Sequence, residues 1–180
     1  MCEDQRGFTL WFTGLPCSGK SAIADKVADI LRGRGLRAER LDGDIVRQDL
    51  TRDLGFSKQD RDENIRRVTF VAKLLSRNGV AVLLSFISPY RAMRDRARDQ
   101  IGDFVEVYTK CSLEECMRRD TRGMYKKAIA GEIKEFTGIS DPYEEPLKAE
   151  LILETDKETL DESVGRVLAR LQELGYLDKA

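Results

Sequence analysis

The stretch from Gly14 to Ser21, which reads Gly-Leu-Pro-Cys-Ser-Gly-Lys-Ser, constrains the fold of this chain more than any other. It fits the pattern G-x-x-x-x-G-K-[ST], follows the apolar run 8–12, and leads directly into an amphipathic helical pattern. The two glycines let the backbone turn sharply, so that its N–H groups and the helix N-terminus can hold a polyphosphate. The sequence therefore predicts a loop that binds a nucleoside triphosphate, with Lys20 reaching the β- and γ-phosphates and Ser21 ligating Mg²⁺.

Length and charge favour a single soluble domain. The chain has 180 residues, enough for one domain with its own core, and its 31 basic and 32 acidic side chains give a net charge of −1. This balance argues against a nucleic-acid partner. No apolar run approaches the length of a membrane span, and the N-terminal residues are charged, unlike a signal peptide. We expect one domain over residues 1–180, cytoplasmic and with no membrane partner.

The cysteine and histidine content limits the chemistry. The chain has no histidine, and its four cysteines show no metal-ligand spacing, which argues against a zinc site: Cys2, Cys17, Cys111 and Cys116. Because histidine is the commonest general base, any proton transfer here falls to carboxylates or lysines.

Strand and helix patterns alternate along the chain. Apolar runs predict strands at 8–12, 36–41, 80–86, 104–108 and 151–153. Helical patterns lie between them, and a last helix follows with Thr155 and Glu158 as its predicted capping box. This order predicts a three-layer α/β domain with a five-stranded, mainly parallel sheet.

Polar side chains follow the second and third predicted strands. Asp42 and Asp44 come directly after the second strand, and Ser88 and Arg91 come shortly after the third. Ligands bind at the carboxyl ends of the strands in open parallel sheets. These four side chains are therefore candidates for a site next to the phosphate loop, although Ser88 is also a plausible helix cap.

The long helix predicted from Ser57 to about Arg77 carries two polar residues on its apolar face. Stepping back along that face toward the N-terminus brings Arg61 and Asn64 into line with it. Burying a cation and an amide without partners costs several kcal/mol. A bound anionic ligand would supply those partners.

The segment 121–143 lacks apolar periodicity. It is basic and contains glycines, among them Gly131 and Gly138. A stretch of this kind beside a phosphate loop is typical of a mobile lid that closes over charged substrates and excludes water.

Several motifs occur in an order that identifies a family. They are Leu41-Asp42-Gly43-Asp44, Asp53-Leu54-Gly55-Phe56-Ser57, Glu63-Asn64-Ile65-Arg66-Arg67, Phe86-Ile87-Ser88-Pro89-Tyr90-Arg91, Gly131-Glu132-Ile133-Lys134 and Phe136-Thr137-Gly138. With the phosphate loop, they resemble adenylylsulfate kinase over nearly the whole chain. The resemblance implies a nucleoside-kinase-like P-loop fold and transfer of the ATP γ-phosphate to the 3′-hydroxyl of adenosine 5′-phosphosulfate (APS), with Mg²⁺, in sulfate activation.

The resemblance also implies two sets of binding residues. ATP would contact Gly14, Leu15, Pro16, Cys17, Ser18, Gly19, Lys20, Ser21 and Ala22. APS would contact Asp44, Arg47, Phe56, Arg61, Asn64, Ile87, Ser88, Lys126, Phe136 and Ile139. Phe56 and Phe136 would stack on the adenine, and the arginines would hold the phosphosulfate.

The expected catalytic residues are Lys20, Asp42, Asp44 and Ser88. Either Asp42 or Asp44 would deprotonate the 3′-hydroxyl while the other supports Mg²⁺ next to Ser21. Ser88 matches a serine that the family has been proposed to phosphorylate as an intermediate. We favour direct transfer, because no histidine is present to activate Ser88. Family members are commonly homodimers, and some are linked or fused to ATP sulfurylase.

Two other classes of function compete with this interpretation. One is another small P-loop kinase, acting on nucleotides, sugars or polynucleotide ends. The other is a regulatory nucleotide-binding domain without catalysis, against which the retention of Lys20, Ser21 and Asp44 argues. A switch GTPase is less consistent with the sequence, because no Asn-Lys-x-Asp guanine-binding motif occurs.

Overall fold

The structure, a computed structural model, describes residues 5–178 and contains one five-stranded sheet in that range. The strands are β1 (Phe8–Thr13), β2 (Ala38–Asp42), β3 (Ala81–Ser85), β4 (Phe104–Lys110) and β5 (Leu151–Glu154). Their order across the sheet is β2-β3-β1-β4-β5, and all four neighbouring pairs are parallel. The predicted sheet is confirmed, and its central strands β1 and β3 are buried throughout, as parallel strands covered by helices on both faces are.

Helices connect the strands and cover both faces of the sheet. They are α1 (Lys20–Gly33), α2 (Gly43–Val46), α3 (Lys58–Ser76), α4 (Arg91–Ile101), α5 (Leu113–Arg119), α6 (Met124–Ile129) and α7 (Leu160–Glu173). One apolar core joins α1 and α7 to the face that carries Leu10 and Phe12. A second core joins α3 and α4 to the opposite face, which carries Trp11. Alternation of side chains along β1 thus serves two helical layers, as a three-layer fold requires.

The register of the strands brings the candidate residues together. Phe12 lies beside Ser85 across β1 and β3, and Ser85 lies beside Asp42 across β3 and β2. The phosphate loop follows β1 at this same edge, and α2 begins directly after Asp42. The carboxyl edge of the sheet therefore places three segments next to one another: the phosphate loop, the acidic turn at 42–44 and the Ser88 turn at 88–91.

Two predicted helix caps are wrong. The capping box of α7 is formed by Thr159 and Glu162, because the chain needs one more turn after β5 before the helix can begin. Thr155 instead donates its hydroxyl hydrogen bond to the Ser18 carbonyl at 2.9 Å, which ties the end of β5 to the phosphate loop. The N-cap of α4 is Tyr90 rather than Ser88.

The segment 121–143 contains structure that the sequence pattern did not predict. It includes α6, and Tyr125 of this helix is fully buried and donates its hydroxyl to the Pro16 carbonyl at 3.0 Å. Tyr125 and Phe136 form a third apolar cluster with Cys111 and Cys116. The segment therefore packs on the outer side of the phosphate loop. No helix within residues 5–178 is long and apolar enough to span a membrane.

Candidate functional site

The phosphate loop has the backbone that its glycines predict. A Cβ atom at Gly14 would lie 2.4 Å from the Thr109 hydroxyl oxygen and 2.6 Å from the Thr109 carbonyl oxygen, so a larger residue does not fit. Gly19 caps α1 with φ 91°, and Cys17 also has a positive φ of 62°. Residues with positive φ inside such a loop turn successive N–H groups toward one point. The loop and the start of α1 thus form an anion-binding concavity.

Lys20 lies across this concavity. Its ammonium group donates to the Gly14 carbonyl at 3.0 Å and to the Leu15 carbonyl at 2.6 Å. The side chain is buried, and burial lowers the pKa of Lys20 to about 8 because the charged form loses its hydration. The amine is mostly protonated at neutral pH, and a phosphate anion offers it a stronger partner than two neutral carbonyls.

Asp42 and Ser21 form an oxygen-rich cluster at the end of β2. The Ser21 hydroxyl and the Ser85 hydroxyl each donate to Asp42 Oδ2 at 2.7 Å. Arg40 reaches the same carboxylate from β2, at 3.4 Å. Partial burial raises the pKa of Asp42, but the hydrogen bonds from Ser21 and Ser85 outweigh it, so the pKa of Asp42 lies below its ordinary value. An ionised carboxylate beside a hydroxyl is a donor set that fits Mg²⁺.

Asp44 differs from Asp42 in exposure and in partners. Its backbone N–H donates to Asp42 Oδ1 at 2.9 Å, which fixes the turn, while its own carboxylate projects outward and is 62% exposed. Arg122, from the segment 121–143, forms an ion pair with this carboxylate. Asp44 is thus the accessible carboxylate of the two, and Asp42 is the one held within the protein.

Ser88 is buried at the end of β3, with an unusual positive φ of 40°. Its hydroxyl accepts a hydrogen bond from the Trp11 indole at 3.0 Å and donates to the Thr13 hydroxyl at 3.1 Å. Thr13 in turn donates to the Ile87 carbonyl at 2.7 Å and contacts the Tyr143 hydroxyl at 2.9 Å. The Ser88 hydroxyl is therefore engaged in a buried network under the sheet edge.

Arg61 and Asn64 are buried, as the sequence predicts. Arg61 donates to the Phe56 carbonyl at 2.7 Å and to the Glu135 carbonyl, and its guanidinium lies 3.7 Å from the Asp141 carboxylate. It thereby bridges the start of α3 to the segment 121–143. Asn64 Oδ1 has no hydrogen-bond partner within residues 5–178. A buried amide oxygen without a partner is costly and suggests that a ligand donates to it.

Two arginines flank the Phe56 ring. Arg47 stacks over the ring at 4.4 Å from its centroid, and Arg61 lies at 5.7 Å. Phe56 itself is about half exposed, at 54%. Burial lowers the pKa of Arg47, and the nearby positive charge of Arg61 lowers it further. A half-exposed ring with two cations close to it is a suitable surface for an anionic ligand with an aromatic base.

The remaining predicted acceptor residues differ in exposure. Phe136 is buried and packs edge-on against Tyr125 at 5.0 Å between ring centroids, so it is less accessible than Phe56. Lys126 is exposed on α6, Ile139 is partly exposed at 37%, and Ile87 is half-buried beside Ser88. The segment 121–143 approaches the phosphate loop closely at Gly138, where a Cβ atom would lie 3.0 Å from the Leu15 side chain.

Sequence reasoning missed several residues of this edge. Ser85 and Arg40 lie inside strands, where the apolar pattern hides single polar residues, yet both contact Asp42 or its partners. Thr13 and Tyr143 join the Ser88 network from positions 130 residues apart in sequence. Only the position of Thr13 immediately before the phosphate loop could have signalled its role.

The cysteines that the structure describes do not form a metal site. Cys17, Cys111 and Cys116 are free thiols, and Cys2 lies outside the described residues. Between residues 5 and 178, no group of three or more cysteine, aspartate and glutamate side chains is arranged to hold a metal ion. Burial raises the pKa of Cys116 to about 12, so this thiol is protonated at neutral pH.

Comparison with known proteins shows the family of this chain. The family model described as adenylylsulphate kinase matches residues 6–154. The adenylyl-sulfate kinase of Halothermothrix orenii is 57% identical over 176 residues, which cover 98% of this chain and 95% of that protein.

Solved structures give the same result. The APS kinase CysC of Mycobacterium tuberculosis, in complex with AMPPNP and APS, superposes with a TM-score of 0.90 at 45% identity and covers 93% of this chain and 99% of that one. A hexameric APS kinase from Thiobacillus denitrificans matches with a TM-score of 0.73 at 35% identity, over 97% of this chain and 30% of that one. The chain belongs to the adenylylsulfate kinase family.

Proposed function

We propose that this chain is an adenylyl-sulfate kinase that transfers the γ-phosphate of ATP to the 3′-hydroxyl of APS. Family membership supports the reaction. The structural observation that supports it most is the buried pair Arg61 and Asn64 on α3, because the Asn64 amide oxygen has no hydrogen-bond partner among the described residues. A phosphate loop alone would serve many kinases, whereas this second polar surface is suited to an anionic adenine nucleotide as acceptor.

ATP binding falls to the loop from Gly14 to Ala22. Its inward N–H groups and the α1 N-terminus hold the phosphates, and Lys20 exchanges the Gly14 and Leu15 carbonyls for phosphate oxygens. Ser21 and Asp42 would hold Mg²⁺, which neutralises charge on the β- and γ-phosphates when it is bound. Ser85 and Arg40 keep the Asp42 carboxylate in place for this purpose.

Asp44 is the base in this proposal, and Asp42 is the metal-side carboxylate. Both oxygens of Asp42 already accept hydrogen bonds, and its lowered pKa makes it a poor proton acceptor. Asp44 is accessible and needs only to exchange its Arg122 partner. The acceptor 3′-oxygen forms a bond to the γ-phosphorus, its proton passes to Asp44, and the bond from that phosphorus to the leaving ADP oxygen breaks.

Direct transfer is supported by the environment of Ser88. A nucleophilic serine needs a base within hydrogen-bonding distance and an open path to the phosphorus. The Ser88 hydroxyl is buried, and its hydrogen bonds run to Trp11 and Thr13, neither of which is a base. Ser88 and Ile87 would instead shape the turn that contacts APS.

The acceptor would be held from two directions. Phe56 offers its exposed face to the adenine, with Phe136 on the other side, and such stacking typically contributes about 1–3 kcal/mol per base. Arg47 and Arg61 would bind the phosphosulfate, and Lys126 and Ile139 would contact APS from the segment 121–143. This segment would act as a lid that closes over both substrates and excludes water.

Further properties of the chain are proposed from the family and the sequence. We expect a single cytoplasmic domain over residues 1–180 that acts in sulfate assimilation. It would form homodimers and work with an ATP sulfurylase, the enzyme class that supplies APS. Size-exclusion chromatography with light scattering tests the dimer.

A coupled assay of ADP release tests the function. The purified chain is mixed with ATP and Mg²⁺, and the acceptor is APS, AMP or buffer alone. We expect release that requires APS and exceeds the rate with AMP by about two orders of magnitude or more, because a site built for a polar group rejects ligands that lack it. Equal release with AMP would indicate another small kinase. Nucleotide binding without release would indicate a non-catalytic domain.

A further inference from the structure

Arg94 is a fully buried cation on α4 to which no role has been assigned above. Its Nε donates to Glu106 of β4 at 2.7 Å, one terminal nitrogen donates to the Ser88 carbonyl at 2.5 Å, and the other donates to the Glu144 carbonyl at 2.6 Å. The side chain is 2% exposed and Glu106 is 7% exposed. A buried guanidinium requires this full set of partners, because its desolvation is otherwise costly.

The hydrogen bond from Arg94 to the Ser88 carbonyl fixes the unusual backbone at Ser88. A φ of 40° is uncommon for a residue with a side chain and persists only where surrounding contacts enforce it. Here Arg94 holds the Ser88 carbonyl, while Trp11 and Thr13 hold its hydroxyl. The turn is therefore held from both sides.

The hydrogen bond from Arg94 to the Glu144 carbonyl fixes the chain that follows the segment 121–143. The Glu144 N–H donates to the Pro89 carbonyl at 2.8 Å, and the Glu144 carboxylate accepts from the Arg91 N–H at 2.8 Å. The Arg91 side chain donates to the Glu145 carbonyl at 2.7 Å. Glu144 and Glu145 are thus hydrogen-bonded to the turn at 88–91, and Arg94 donates to a carbonyl in each of the two segments.

We infer that Arg94 is a positioning residue that joins the Ser88 turn to the C-terminal end of the segment 121–143, and so sets the affinity of the site for the acceptor. Arg94 thereby supports both the Ser88 turn, which would contact APS, and the end of the segment 121–143, which would close over APS. The inference rests on the proposed function, because it treats the Ser88 turn as a contact of APS.

The variant Arg94→Lys separates this role from simple burial of charge. A lysine keeps the positive charge beside Glu106, but its single nitrogen cannot reach the carboxylate and both carbonyls at once. We expect the KM for APS and the dissociation constant of APS to rise about 10- to 100-fold, as loss of charged hydrogen bonds implies. The KM for ATP should stay within about twofold of the wild type, because the phosphate loop does not depend on these contacts.

Trp11 provides a second readout that does not depend on activity. It is the single tryptophan of the chain, it is fully buried, and its indole donates to Ser88. We expect APS to change the emission of Trp11, excited near the red edge to avoid adenine absorption, in the wild type. In Arg94→Lys the change should require about 10- to 100-fold more APS.

Arg98→Lys is the matched control. Arg98 also lies on α4 and forms an ion pair with Glu106 at 3.3 Å, but its remaining hydrogen bonds run to Glu150, away from the Ser88 turn. We expect this variant to bind APS within about threefold of the wild type. A doubly substituted chain, Arg94→Met with Glu106→Gln, removes the buried charges together and provides a second test if Arg94→Lys folds poorly.

The possible outcomes distinguish failure of the Arg94 inference from failure of the proposed function. Weaker APS binding with normal ATP binding, in either Arg94 variant with a wild-type circular dichroism spectrum, supports the inference. Wild-type APS affinity in a folded Arg94 variant overturns it, as does an equal loss for APS and ATP or an equal loss in Arg98→Lys. Absence of APS binding by the wild type itself would contradict the proposed function.

Discussion

On the nucleotide side of the proposed site, Lys20 and Asp42 have partners within the protein, whereas on the acceptor side the Asn64 amide oxygen has none among the described residues. Lys20 is bonded to two loop carbonyls, and Asp42 accepts hydrogen bonds from two serine hydroxyls. Across the same sheet edge, Phe56 is half exposed and Asn64 Oδ1 has no partner among the described residues. Under the proposed function, the nucleotide side is preorganised for charge, and the acceptor side would be completed by bound APS. Changes on the first side should lower rate, and changes on the second should lower affinity.

The largest effect is expected for Lys20→Met. Loss of the ammonium group that neutralises the transferring phosphate should lower kcat/KM about 10³-fold or more. The fold should persist, because the substitution removes a buried charge. Steady-state kinetics measures the loss, with Lys26→Met as control, since Lys26 lies on α1 and pairs with Asp161 at the surface. Retention of a tenth of the wild-type activity would show that the loop amides suffice without Lys20.

The next largest effects are expected at the two carboxylates of the acidic turn, and the two substitutions should change different kinetic quantities. Asp44→Asn is expected to lower kcat about 10²- to 10⁴-fold with little effect on nucleotide binding, because a proton acceptor is lost. Asp42→Asn should instead raise the Mg²⁺ concentration needed for half-maximal rate. The exposed Asp49 supplies the control Asp49→Asn. The assignment fails if Asp44→Asn is nearly fully active while Asp42→Asn loses kcat at saturating Mg²⁺.

A smaller effect is expected at Asn64, and it tests the acceptor side alone. Asn64→Leu removes an amide oxygen that is unpaired among the described residues, so the melting temperature should not fall, while the KM for APS should rise about 10- to 100-fold. Differential scanning fluorimetry and steady-state kinetics measure the two quantities. Gln59→Leu makes the same chemical change on the exposed side of α3. A lower melting temperature with unchanged KM would mean that Asn64 serves the fold and not the ligand.

The smallest effect concerns pH and belongs to the nucleotide side. Burial lowers the pKa of free Lys20 to about 8, and a bound phosphate raises it again by favouring the charged form. Nucleotide binding above pH 8 is therefore coupled to proton uptake, and the affinity for ADP should fall by at most about tenfold per pH unit from 8 upward. Titration calorimetry in buffers of different ionisation enthalpy measures this uptake. An affinity that is constant between pH 7 and 9.5 would contradict it.

The same pKa shift predicts how the stability of the ligand-free protein depends on pH. Because the folded-state pKa of Lys20 lies below the unfolded value of 10.5, the unfolded chain binds more protons between these two values. The contribution of Lys20 to the free energy of unfolding therefore rises with pH from about 8 to about 10.5. It should be absent in Lys20→Met, which denaturant unfolding at several pH values can test.

The sequence was sufficient to predict the sheet and the phosphate loop because both follow from local rules. Apolar runs between helical patterns gave five strands, and the spacing of Gly14, Gly19 and Lys20 defined the loop. The inward position of Arg61 and Asn64 followed from the helical period of α3. In each case, a repeat of a few residues carries the information.

The parts that the sequence did not predict depend on contacts between distant segments. The local sequence does not show that Asp42 is the enclosed carboxylate, because the hydroxyls that donate to it come from Ser85 on the neighbouring strand and from Ser21 on α1. Arg94 looks like one more arginine of a charged helix until its partners at Glu106 and Glu144 are known. The helix α6 was hidden because only two of its residues, Tyr125 and Ala128, are buried, and Tyr125 bonds it to the phosphate loop.

The most direct test follows the γ-phosphate to its destination. ATP labelled at the γ-position is incubated with APS, Mg²⁺ and the wild-type chain, and the label is located by phosphorus NMR of the nucleotides and mass spectrometry of the protein. We expect the label as a 3′-phosphate on APS, none on the protein, and the same product from Ser88→Ala. Label on Ser88 that forms and decays at the catalytic rate, or label only in inorganic phosphate, would contradict direct transfer to APS.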